Sequence, residues 1–183
     1  MKIVAIVGMT GAGKSEAASL FIENGFTKIR FGDVTDEEIK KRGLKLNEEN
    51  ERCIRELLRK EHGMSAYAIL NLPKIDLALE RSAVVIDGLY SWEEYTFLKS
   101  RYGRGFCVVA IWASPKTRYV RLATRAERSL TEEEAASRDK AEAEKLSKSG
   151  PIVMADFTIL NEYSFKNLKK EVNRTISALK EKD

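Results

Sequence analysis

Gly8-Met9-Thr10-Gly11-Ala12-Gly13-Lys14-Ser15 is the stretch on which the reading of this chain turns. A glycine, four intervening residues and then Gly-Lys-Ser is the spacing of a phosphate-holding loop. Such a loop must aim successive backbone N–H groups into one concavity. Gly8, Gly11 and Gly13, with the small Ala12 between them, let the backbone do so. The helix that follows adds its own N-terminal N–H groups and their partial positive charge. Lys14 is placed to reach the β- and γ-phosphates of a nucleoside triphosphate, the Ser15 hydroxyl to bind Mg2+, and Glu16 to lie beside the nucleotide in the same helical turn. ATP and Mg2+ are therefore the expected ligands.

Just before the loop, Ile3-Val4-Ala5-Ile6-Val7 is a short uncharged run, the pattern of a strand covered on both faces. Residues 14–24 predict a helix that Gly25 stops. Residues 27–31, 83–87, 106–113 and 157–160 are further strand-sized runs. Helical stretches lie between them. One opens on a capping box from Thr35 to Glu38 and closes at Gly43, and two more cover 48–61 and 65–80. Others open on a Ser91 to Glu94 box, on Ser114-Pro115, on a Thr131 to Glu134 box and on Ser164. Pro73 predicts a kink or a break within 65–80. Strands alternating with helices predict an α/β fold of three layers, a five-stranded parallel sheet with helices on both faces.

The 183 residues suit a single domain, 1–183, that buries a core without staples. Of two cysteines, Cys107 sits within an apolar run, so a disulfide framework is not expected and a reducing cytoplasm fits. No apolar run is long enough to span a bilayer, and the run at the N-terminus is too short for a secretory signal. A net charge of +4 suits anionic ligands in general and does not argue for nucleic acid. The expected partners are ATP and a small acceptor, with neither membrane nor nucleic acid among them.

Two carboxylates stand at strand ends, where open α/β sheets bind their ligands. Asp87 is placed to hold Mg2+ through water, and Asp33 to orient or deprotonate an acceptor hydroxyl. The plainer alternatives are a turn residue before Gly88 and a helix cap. Arg118, Arg121, Arg125 and Arg128 fall within an arc of roughly 80° on a helical wheel. Arg121 and Arg125 are read as closing over the phosphoryl group in transfer, since guanidinium suits bidentate phosphate contact, and Arg118 and Arg128 as a solvated basic face. His62, before Gly63, reads as a complement to a helix C-terminal dipole. Trp92 and Trp112 read as packing.

A GTPase would carry Asn-Lys-x-Asp and Asp-x-x-Gly; the chain has neither, and a large motor or AAA-type ATPase would need a longer chain. What remains is the small-kinase branch. Ile29-Arg30-Phe31-Gly32-Asp33 and Val84-Val85-Ile86-Asp87-Gly88 resemble the Gly-Asp and Asp-Gly of adenylate kinases. Arg121-Leu122-x-x-Arg125, then Leu130 to Ala135 and Arg138, resemble the lid of dephospho-CoA kinases, as do Ala155 to Asn161 and Ser164-Phe165-x-x-Leu168. Over nearly its full length the chain is similar to the mostly archaeal proteins called adenylate-kinase-related or dephospho-CoA-kinase-like. The resemblance implies a nucleoside-monophosphate-kinase-like fold, an acceptor-binding helical region about 34–80 and a lid about 116–150. It also implies that Asn161 faces the adenine and that the acceptor is nucleotide-like, dephospho-CoA or a nucleoside monophosphate. Where adenylate kinases carry an arginine that grips the acceptor phosphate, this chain has Leu89-Tyr90-Ser91. That departure keeps two rivals open, a nucleotide-binding regulatory module with weak ATPase activity and a kinase acting on RNA ends.

Overall fold

Strand β1 (Ile3–Val7) is buried along its whole length, because it is flanked on both edges and covered on both faces. In the computed structural model, which describes residues 2–125, 129–145 and 149–181, it lies at the centre of a five-stranded sheet. Its neighbours are β3 (Val84–Asp87) and β4 (Phe106–Trp112), with β2 (Thr27–Arg30) and β5 (Phe157–Leu160) at the edges. All four pairings are parallel, and the order is β2-β3-β1-β4-β5. The chain leaves β1 toward one edge and later returns past it to the other. The crevice beyond its carboxyl end is thus a topological switch point, where such sheets bind ligands.

Side chains alternate between two apolar layers. Val4, Ile6, Val85, Val109 and Ile159 face α1 (Lys14–Glu23) and α9 (Phe165–Glu181). Ile3, Ala5, Val7, Ile86 and Val108 face α2 (Asp33–Lys41), α3 (Glu48–His62), α4 (Ala66–Leu79) and α5 (Trp92–Tyr102). The expected three-layer α/β fold is the observed one. Among the described residues no helix is long and apolar enough to cross a membrane.

Several start and stop signals act as expected. Thr131 and Glu134 exchange both bonds of a capping box, 2.8 and 3.2 Å, before α7 (Glu132–Lys145). The Ser114 hydroxyl caps α6 (Pro115–Ala123), with proline at its first turn. At α5 the box is displaced: Ser91 Oγ accepts from Glu94 N, but the Glu94 carboxylate reaches Tyr90 N, one residue before the cap. One expectation is corrected, and of the two offered for Pro73 the break is not seen. The Thr35 to Glu38 box does not form; α2 starts three residues earlier, with Gly32 rather than Thr35 at its cap. The Thr35 hydroxyl is buried against Tyr67 OH at 2.6 Å, and Glu38 pairs with Arg42. Pro73 does not break its helix, which runs on from Ala66 to Leu79 with Tyr67, Ala68, Asn71 and Ile75 buried, so burial on both sides of the proline outweighs the lost backbone bond. A short α8 (Ser149–Val153) precedes β5.

Candidate active site

Loop 8–13 turns sharply because of the glycines at its two ends. Gly8 and Gly13 hold φ at 145° and 97°, which side chains rarely adopt. A Cβ on Gly8 would run into the Ile111 carbonyl, and one on Gly13 into the Asn161 amide. The concavity between them is thus one that a single added carbon would spoil. Ala12 N donates to Met9 O at 3.2 Å to close the turn, and Ala17 N to Gly13 O at 3.1 Å starts the helix. Lys14 Nζ curls back to Met9 O at 3.0 Å, across the mouth of the loop. Ser15 and Glu16 are exposed on the first turn of α1.

Beside the loop opens a cleft of ≈ 480 Å³. Gly11, Gly13 and Glu16 form one wall, Arg121, Thr124 and Arg125 a second, and Asn161 with Tyr163 and Phe165 a third. Arg121 Nη2 donates to the Asn161 carbonyl at 2.8 Å, while its Nη1 is buried without a hydrogen-bond partner. A desolvated guanidinium N–H with nothing to bond is costly unless an acceptor arrives, and phosphate oxygens are such acceptors. The Asn161 side chain does not point freely into the cleft: its Nδ2 donates to Ala12 O at 2.8 Å and braces the loop. Tyr163 and Phe165, both more than half exposed, add planar faces to the cleft, and the sequence reading left them unmarked.

The arginine face is corrected. Helix α6 stops at Ala123, where Thr124 Oγ1 bonds back to Val120 O at 3.0 Å, so Arg125 lies beyond the helix and reaches the cleft from the connection. Arg128 lies outside the described residues. Arg118 is not a solvated residue: it is 4% exposed and makes a two-toothed pair with Asp139 at 2.8 and 2.6 Å. It also donates to Ala113 O and to Thr10 O, both at 3.1 Å. Thr10 Oγ1 in turn donates to Glu142 Oε1 at 2.6 Å. Helix α7 is therefore docked on the phosphate loop through Asp139 and Glu142, two residues that sequence reasoning missed. Their spacing of three puts them on one helical face, which is the signal that could have found them.

Asp87 ends β3 in register with Ile6, two residues before Gly8. Its carboxylate is mostly buried and pairs with Lys28 Nζ at 3.0 Å. Asp33 opens α2, where a negative charge suits the helix N-terminus, and pairs with Arg30 at 2.8 Å. Arg30 bridges to Asp36 as well, at 2.7 Å. Asp33 is thus the first residue of the helix and not its cap, and its carboxylate is engaged by Arg30.

Parallel order, glycine loop and cleft together define a P-loop kinase-like protein. The chain belongs to the AAA-domain family, whose model matches residues 4–147, and to the UPF0200 proteins, with one of which, from Thermococcus gammatolerans, it is 36% identical over 181 residues, 97% of this chain and 95% of that one. It is also 34% identical over 182 residues to a UPF0200/UPF0201 protein of Archaeoglobus fulgidus, and spans 56% of that protein's length. Among solved structures, a shikimate kinase from Bacteroides thetaiotaomicron superposes with a TM-score of 0.62 at 14% identity over 98% of each chain. A dephospho-CoA kinase from Campylobacter jejuni does so with 0.57 at 16% identity, over 97% of this chain and 96% of that one. At such identities the likeness is one of fold.

Proposed function

We propose that this chain is an ATP-dependent phosphotransferase that moves the γ-phosphoryl group to a small nucleotide-like acceptor, such as dephospho-CoA or a nucleoside monophosphate. The observation that carries the reading is the unpartnered Arg121 Nη1 in a cleft that runs from the glycine loop to Asn161. The loop N–H groups and Lys14 hold the triphosphate. Arg121 and Arg125 stabilise charge on the equatorial oxygens of the group in transfer. Asp33 takes up the acceptor proton. The glycine cradle, closed to any Cβ, fits ATP, and Ser15, exposed on the first turn of α1, with Asp87 in register with Ile6 just before the loop, fits Mg2+. Bound there, Mg2+ neutralises phosphate charge while keeping several waters. Residues 34–80 form the acceptor side and 116–150 the lid, which sheds water on closing and so limits hydrolysis.

Arg121→Ala tests this reading. It is expected to lower kcat by about 10²-fold and to raise the Kd for ATP by less than about tenfold, because the contact is made chiefly in the transition state. Arg121→Lys should rescue only in part, since it keeps charge and loses the planar fork. Steady-state kinetics beside equilibrium ATP binding decides it. A variant that transfers phosphate normally leaves the cleft without its assigned chemistry and favours a regulatory module.

A further inference from the structure

Among the described residues, four buried side-chain nitrogen or oxygen atoms have no hydrogen-bond partner. One is Arg121 Nη1. The other three, Arg59 Nε, Asn71 Oδ1 and Glu94 Oε1, lie on α3, α4 and α5, of which α4 packs against both others. Asn71 on α4 donates its Nδ2 to Tyr67 O at 2.8 Å and toward Phe31 O at 3.5 Å, and Phe31 directly follows β2. The Arg59 guanidinium on α3 lies 5.5 Å from the centre of the Tyr67 ring, and its charge is felt at both Tyr67 and Glu94. Glu94 follows β3 through Tyr90, whose N–H its second oxygen accepts. The cluster thus stands at the carboxyl ends of β2 and β3, beside the end of β1 where the phosphate loop begins. Buried polar groups are nearly always paired, so three unpaired ones together mark a place where a bound molecule supplies the partners.

We propose that Arg59, Asn71 and Glu94, with Tyr67 and Thr35 behind them, form the acceptor pocket, and that it takes a hydroxylated, sugar-like group with at most one negative charge, not a phosphate. The inference rests on the phosphotransferase reading above and decides which kind of acceptor atom is used. One N–H donor and two oxygen acceptors are the hydrogen-bond complement of a diol, whose hydroxyls both donate and accept. A phosphate dianion only accepts; it would leave Asn71 Oδ1 unpaired and, whenever Glu94 is ionised, face a carboxylate. The cations nearby are already matched: Arg30 by Asp33 and Asp36, Lys28 by Asp87, Arg55 by Glu51. Arg59 makes no ion pair among the described residues, so one guanidinium remains, too little for a dianion. Burial pushes the Glu94 carboxyl up to about 7, so near neutral pH it both accepts from and donates to a hydroxyl. Of these side chains only Arg59 is more than marginally exposed, and the acceptor enters on its side. In the transfer itself the acceptor oxygen bonds to the γ-phosphorus, the bond from that phosphorus to the β–γ bridging oxygen breaks, ADP leaves, and the hydroxyl proton passes to Asp33.

The full chain with Mg-ATP is offered two panels, one of ribonucleosides, sugars, polyols and hydroxy acids, the other of nucleoside monophosphates, and products are read by phosphorus NMR. Acceleration of ATP consumption by a member of the first panel, with a phosphomonoester as product, is expected. Glu94→Gln and Arg59→Gln should each raise the KM for that acceptor at least tenfold and move the KM for ATP less than twofold, a split that a merely structural role would not give. Formation of nucleoside diphosphates alone, no acceleration by either panel, or an acceptor KM indifferent to both variants overturns the proposal. A chain that binds no ATP at all would overturn the phosphotransferase reading itself.

Discussion

Lys14→Ala is expected to lower phosphoryl transfer by roughly 10²–10³-fold while the protein remains folded. The lysine follows Gly13 on the first turn of α1, half-buried, and its ammonium lies across the loop mouth on Met9 O. Under the proposed reading the same ammonium serves the β- and γ-phosphates, where charge builds up as the bridging bond breaks. Alanine removes that charge and one bond to a backbone carbonyl, at a stability cost of about 1 kcal/mol. Stability and turnover should therefore separate: a melting temperature within a few degrees of wild type, and transfer almost gone. Transfer within a fewfold of wild type would show that Lys14 plays no part in the chemistry.

Arg118→Ala should do the reverse, damaging the fold first. Arg118 is buried, and one side chain ties together Asp139 on α7, the Ala113 carbonyl after β4 and the Thr10 carbonyl in the phosphate loop. Removing it leaves the Asp139 carboxylate, with 16% of its side chain exposed, without its two-toothed partner and, among the described residues, with the Tyr119 hydroxyl alone at 3.0 Å. Breaking a buried pair from one side costs about 3–5 kcal/mol. For a chain of this size that is a fall of about 10 °C in melting temperature. Helix α7 should loosen from the loop as well, so its amide protons should exchange faster than those of β1. Asp139→Asn, which keeps shape and half of the bonds, should fall between. A loss below about 1 kcal/mol would mean that the pair does not hold α7 in place.

Why the sequence showed some of this and hid the rest follows from the range of the interactions. The phosphate loop was legible because its demands are local: glycine where a Cβ has no room, lysine and serine at the start of the next helix. The strands were legible because burial on both faces leaves uncharged runs, and β5 was predicted to the residue. The start of α2 was misjudged because Thr35 and Glu38 match a capping box, yet Thr35 is drawn inward to a tyrosine hydroxyl 32 residues away. Arg118 looked like its neighbours Arg121 and Arg125 on a helical wheel. What separates them is Asp139, 21 residues on, and the end of the helix at Ala123, neither of which a local period encodes. Asn161 was legible by resemblance as a site residue, but the Ala12 carbonyl that takes up its amide is 149 residues earlier in the chain. The cluster of Arg59, Asn71 and Glu94 had no signal of any kind, since it is assembled from three helices and defined by bonds that are not made.

The central claim, that loop 8–15 holds the phosphates of ATP, is tested most directly by titrating Mg-ATP into the full chain and following backbone amides by NMR. Saturable binding of one nucleotide per chain is expected, with the largest amide shifts at Gly11, Gly13, Lys14 and Ser15 and smaller ones at Arg121 and Asn161. Amides of residues 8–15 that stay unmoved at millimolar Mg-ATP, or that move less than those elsewhere in the sheet, would contradict it.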